Sequence, residues 1–128
     1  MTPTLLPEIH TPETLAALAD AVLAVLGDWG VAPARQVELL GLAAPQIPGQ
    51  PLPDDPDVLE RAGHLLGIER ALKRRYPDDP AARHAWLMLP ESGLGAQAPL
   101  RVMLDGVEGI RRVRSLLETG AAEPSRGV

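Results

Sequence analysis

The 128-residue sequence has no cysteine, no phenylalanine and a single tyrosine. Without cysteine there can be no disulfide framework, no thiolate zinc site and no cysteine nucleophile; the chain suits a reducing compartment, and the cytoplasm is its expected location. Aromatic residues make up 2% of the chain against 45% hydrophobic residues. The core must therefore be assembled from Leu, Val, Ile and Ala, a set that favours helix-on-helix packing over a sandwich or barrel. Long apolar runs are also missing. The first residues, MTPTLLPEIHTPE, lack a basic stretch, and proline breaks their apolar residues too often for a signal peptide or a membrane span. The length suits one compact unit with tails, and a soluble protein with no membrane partner is expected.

Positive charge is scarce in the first half. Residues 1–57 hold eight acids and one base, Arg35, for a net −7, whereas residues 58–128 hold nine acids and eleven bases, for a net +2. Phosphate-backbone binding draws on clustered Lys and Arg, so the first half is poorly equipped for nucleic acid.

Proline is abundant, with 14 residues, and its positions divide the chain. Thr11-Pro12-Glu13 is a helix start: Thr caps, Pro fits the first helical position, and the acid suits the positive end of the dipole. Leu15, Leu18, Val22 and Val25/Leu26 follow at helical spacing until Gly27. Pro33 opens a shorter helix that presents Val37 and Leu40 and stops at Gly41, the usual residue for a left-handed cap. These two helices have the order of a helix-turn-helix. Where its third helix should follow, Pro45, Pro48, Pro51, Pro53 and Pro56 each remove a backbone donor. Interior helix prolines cost about 3 kcal/mol, so this stretch is expected to be an irregular connector with at most a short turn around Ala43.

Asp55-Pro56 starts a longer helix, to about Arg75, that places Leu59, Ala62, Leu66, Leu72 and Tyr76 on one side and spans roughly 28 Å. Tyr76-Pro77 ends it. Asp79-Pro80 starts another helix through Trp86-Leu87, PESGLGAQ forms a Gly-rich loop, and Pro99 opens a short helix over Leu100 and Met103. Ile110, Val113 and Leu117 share one face of a last helix, which ends at Gly120, and AAEPSRGV trails off as a polar tail. The fold class is all-α.

Little in the chain resembles chemistry. His10, His64 and His84 lack the paired spacing of a helix-borne metal motif, and His64 reads as a helix-face residue. Asp54-Asp55 and Asp78-Asp79 each precede a proline at a helix start, where capping explains them better than acid-base catalysis. GLGAQAP does not continue as a dinucleotide fingerprint and follows no strand. Gly63 and Gly67 make a small-residue step that suits close helix packing, with homodimerisation a weaker option. Lys73-Arg74-Arg75 and Arg111-Arg112-Arg114 are either solvated helix ends that compensate carbonyl dipoles or docking points for an acidic protein or nucleic acid. No catalytic residue, metal or cofactor is expected.

The ordered segments LLGIERAL, YPDDPAARHAWLMLP and LGAQAPLRVMLDGVEGIRRVRSLLETG resemble the Xre/MbcA/ParS-type antitoxins, specifically their C-terminal toxin-binding domain. The resemblance covers about Leu59 to Gly120. Its most specific pieces are Leu66-Gly67-Ile68, Trp86-Leu87, Ala98-Pro99-Leu100 and Leu117 to Gly120. The stretch AVLAVLGDWGVAPARQVELLGL is similar to that family's N-terminal helix-turn-helix, although the proline-filled window APQIPGQPLPDDP stands where DNA-binding members carry their third helix.

The resemblance implies a non-enzymatic antitoxin whose partner is a cognate toxin of the RES fold that consumes or transfers from NAD⁺, silenced by docking over its active site. It also implies that Arg111, Arg112 and Arg114, with Thr119, Gly120, Arg126 and Val128, lie at or near that interface. Leu66, Ile68, Leu72, Trp86, Leu87, Leu100 and Leu117 are the expected core. The expected organisation is a degenerate helix-turn-helix-like unit at 1–42, a proline-rich connector at 43–56, a toxin-binding helical domain at 57–120 and a tail at 121–128. DNA binding is doubtful on this reading; the competing one is a helix-turn-helix repressor that binds an operator.

Overall fold

The computed structural model describes residues 11–119, and its regular structure is helical. The order is α1 (Pro12–Asp28), α2 (Pro33–Leu40), α3 (Pro56–Arg75), α4 (Pro80–Met88), α5 (Pro99–Leu104) and α6 (Val107–Glu118), with a short 3-10 helix at Ser92–Leu94. No strand occurs among the described residues beyond a single antiparallel bridge between Glu91 and Gln97. The all-α expectation holds. No described helix is long and apolar enough to cross a membrane.

The chain divides into two compact units, Met1–Gly63 and His64–Val128, so α3 begins in the first and ends in the second.

In the first unit, the Thr11 hydroxyl caps α1 by accepting from the Thr14 backbone N–H at 3.1 Å. The α1 face that is buried consists of Leu15, Ala19, Val22 and Leu26, with Leu18 and Val25 only half-buried. Trp29 and Val31 are buried directly after it, and α2 buries Leu39 and Leu40 while Val37 is half-buried. Residues 42–55 form no regular element, in keeping with their prolines. The segment is nevertheless anchored. Leu52 is 2% exposed, and its backbone N–H donates to the Leu15 carbonyl at 3.2 Å, so the connector contributes a core residue that its composition conceals.

On α3 the buried residues are Val58, Ala62, Leu65, Ile68, Ala71 and Leu72. The sequence places Leu59 and Leu66 there instead, and both are half-buried. Ala62 and Leu72 are buried as expected, and the correction is a shift by one residue at the two adjacent apolar pairs. Stepping back from Leu72 by fours and threes gives Ile68, Leu65, Ala62 and Val58, and in the Val58-Leu59 and Leu65-Leu66 pairs only packing decides which member faces inward.

The second unit buries Leu65, Ile68, Leu72, Trp86, Leu87, Leu94, Val102, Met103, Ile110, Val113 and Leu117. Leu100, expected in the core, is half-buried, and its α5 neighbours Val102 and Met103 take the interior positions. Asp79 caps α4 by accepting from the Ala82 N–H at 3.0 Å. The helix α5 packs against α4 and, most extensively, α6. At that last contact Gly109 is buried, and a Cβ on it would collide with the backbone carbonyl of Val102. The missing side chain is what lets α6 approach α5 so closely.

Candidate functional site

Helix α6 is amphipathic: Ile110, Val113 and Leu117 recur at helical steps on the buried side. Its other side carries the charges. Arg111 and Arg112 are exposed, and Arg111 Nη1 donates to Glu108 Oε2 at 2.6 Å one turn earlier. Ser115 and Glu118 are exposed, and Thr119 closes the helix, with its hydroxyl donating to the Leu116 carbonyl at 3.2 Å.

Arg114 differs from its neighbours because it is half-buried against α3. Its Nε donates to Glu118 Oε2 at 2.8 Å, and its Nη1 lies 3.1 Å from His64 Nδ1. Since the guanidinium has only donors, His64 must present Nδ1 as an acceptor. The guanidinium occupies the space that a Cβ on Gly67 would take: such an atom would stand 2.5 Å from Arg114 Cζ and 2.7 Å from Nε. His64 and Gly67, one turn apart on α3, therefore form the bed on which Arg114 lies.

The charge around this bed is mostly positive. Hydrogen bonding from Arg114 holds the Glu118 carboxyl below the usual carboxylate range; partial desolvation opposes that, and the charges of Arg114, Arg74 and Arg70 reinforce it. Cations from α3 and α6 thus converge on one carboxylate. Beside them, His64, Arg111, Arg114, Ser115, Glu118 and Thr119 line an open groove of about 340 Å³.

A second groove has the opposite character. Tyr76, Ala82, Ala85, Trp86, Leu89, Pro90 and Glu91 surround about 300 Å³ of mostly apolar space. Leu89 is 58% exposed and Met88 beside it 42% exposed, while Trp86 is buried with no acceptor for its Nε1–H among the described residues.

The structure brings Arg111, Arg114 and Thr119 to the polar groove, while Arg112 is an exposed residue of the same helix. Gly120, Arg126 and Val128 lie outside the described residues. Of the expected core, Ile68, Leu72, Trp86, Leu87 and Leu117 are buried and Leu66 and Leu100 half-buried. Sequence reasoning did not single out Glu118 and gave His64 no partner. The available signals were the i,i+4 spacing of Arg114 and Glu118 and the i,i+3 spacing of His64 and Gly67. The pairing of residues 64 and 114, fifty apart, leaves no local pattern. Among the described residues no group of three His, Asp or Glu side chains is placed to hold a metal ion.

No curated protein matches the chain. Residues 71–119, from the end of α3 to the end of α6, match the antitoxin Xre/MbcA/ParS C-terminal toxin-binding domain.

Proposed function

We infer that the protein neutralises a RES-type toxin, one that consumes or transfers from NAD⁺, by docking over the toxin's active site. The observation that carries this reading is the match of residues 71–119 to a toxin-binding antitoxin domain. The geometry at the end of that segment supports it. Helix α6 ends beside a groove lined by Arg111, Arg114, Ser115 and Thr119, and the chain continues from there into residues 120–128. A cationic helix face followed by a polar segment with Arg126 and Val128 suits a cleft built for an anionic dinucleotide, because both compete for the groups that hold phosphate or its counter-charges.

The chain is assigned, on this reading, to a degenerate helix-turn-helix-like unit over 1–42, a connector over 43–56, a toxin-binding domain over 57–120 and a blocking tail over 121–128. The first part serves folding or self-association, with no reading of DNA. In support of that, no helix occupies 42–55, and the two bases of the first unit are engaged, Arg35 with Glu38 at 3.2 Å and Arg61 with Asp57 at 3.0 Å.

The test is affinity capture of the full-length protein from its source cells beside a form truncated after Gly120. A RES-type protein should be captured by both, with its NAD⁺ consumption suppressed by the full chain and restored with the truncated one. Capture of specific DNA, lost steeply as salt rises and with no toxin bound, would replace this reading with an operator-binding repressor.

A further inference from the structure

Four arginines of the second unit crowd one face. Arg111 and Arg114 line the polar groove from α6, and the charges of Arg70 and Arg74, one turn apart on α3, act on its Glu118 carboxylate. Arg70 and Arg74 are exposed and enter no ion pair among the described residues. Against these four stand Glu108 and Glu118, the partners of Arg111 and Arg114, which leaves two positive charges in surplus. The C-terminal dipoles of α3 and α6 offset about one of them, at roughly half a charge each. The arginines of α6 are not placed for that purpose, because its last turn holds no base and ends on Glu118. A positive face remains, and its complement is an acidic one.

Arg114 is built to receive such a partner. Its guanidinium rests in the space left by Gly67 and lies 3.1 Å from His64 Nδ1, contacts that hold it to α3. The bond to Glu118 at 2.8 Å is of another kind: it joins an exposed carboxylate one turn away on the same helix, an arrangement that contributes little to stability. Of the five guanidinium N–H groups, these two bonds use two. A carboxylate arriving from outside finds the guanidinium already in position, so docking costs little conformational freedom.

We propose that the face formed by Arg70, Arg74, Arg111 and Arg114 receives an acidic surface of the toxin, and that Glu118 holds the place of one incoming carboxylate until Arg114 exchanges partners on docking. The proposal rests on the antitoxin reading and adds to it the chemistry of the surface met, the share of α3 and a competing role for Glu118. An acidic protein fits this face better than nucleic acid does. No aromatic side chain lines the groove for a base to stack on, and four cations, two of them already paired, are few for a duplex backbone.

The toxin captured by the full chain is the probe, and its association is followed at low and high salt. Arg70→Glu and Arg74→Glu should each weaken binding by about tenfold at low salt, chiefly through slower association, and by less at high salt. Arg101→Glu, the same charge change at an exposed arginine of α5 outside the groove, should have a much smaller effect. Glu118→Gln should bind about threefold tighter or more, because Arg114 then has no carboxylate to surrender. All four residues are exposed, so helical circular dichroism should match the wild type; Arg70→Gln and Arg74→Gln serve as the milder pair if it does not. A Glu118→Gln variant that binds no better than wild type, or equal weakening by Arg101→Glu and the α3 variants, would overturn the proposal while the antitoxin reading stands. Capture of no toxin by the wild type, with or without nucleic acid in its place, would overturn both.

Discussion

Arg114 lies where a Cβ on Gly67 would point, and it reaches past that glycine to His64 Nδ1 at 3.1 Å. The contact fixes the last turns of α6 to α3 through a side chain, not through the backbone. Gly67→Ala should therefore be close to neutral in stability. Alanine gains about 1 kcal/mol in a helix interior, while displacement of a flexible guanidinium loses one hydrogen bond of about 1 kcal/mol. Thermal melts should show little change, whereas the ring-nitrogen NMR shifts of His64 should move as its partner leaves. Unchanged His64 shifts would refute the contact.

Gly109→Ala should behave oppositely, although it is also a helix glycine. Here the obstacle is the carbonyl of Val102, which no rotamer change can remove. Forced separation of α5 and α6 should destabilise the protein by about 1–3 kcal/mol, despite the gain in helix propensity. Denaturant unfolding of this variant beside Gly67→Ala measures the contrast directly.

Trp86 is 7% exposed on α4. Its replacement by alanine should cost about 3–5 kcal/mol through the cavity left behind. A melting temperature equal to wild type would place the indole outside the core.

The Glu118–Arg114 pair should leave a signature in acid. Glu118 has its folded-state pKa depressed below 4.5, so its contribution is present at neutral pH and is lost as pH falls from about 4.5 through the lower folded value. Because the carboxylate is exposed, the effect should be small and should shrink with added salt. Glu118→Gln should lower stability slightly at neutral and alkaline pH and flatten this part of the stability-pH curve; an identical acid limb would show that the pair contributes nothing.

Much of the architecture is legible in local chemistry. The Thr11-Pro12 and Asp79-Pro80 starts and the irregular 42–55 segment all follow from residues within a few positions of each other. What escapes is whatever depends on a distant partner. The face of α3 is ambiguous wherever two apolar residues stand side by side, and the structure resolves it in favour of Val58 and Leu65. Leu52 reads as one apolar residue among prolines until its bond to Leu15 shows it anchored. The cationic face of α6 is visible as Arg111-Arg112-Arg114, but periodicity cannot tell that Arg114 alone turns inward to His64.

Among the described residues, five of the six α-helices begin on proline: Pro12, Pro33, Pro56, Pro80 and Pro99. Each ring holds φ near the helical value before any folding has occurred and removes an N–H that would otherwise lack a helical partner. Its benefit appears in no inventory of native contacts, because it lies in conformations that the unfolded chain can no longer visit. At about 0.4–1 kcal/mol per site, the five together amount to roughly 2–5 kcal/mol, a substantial share of the 5–15 kcal/mol typical of a folded domain. A chain with few aromatics to bury is thus stabilised partly by the narrowness of its own disorder.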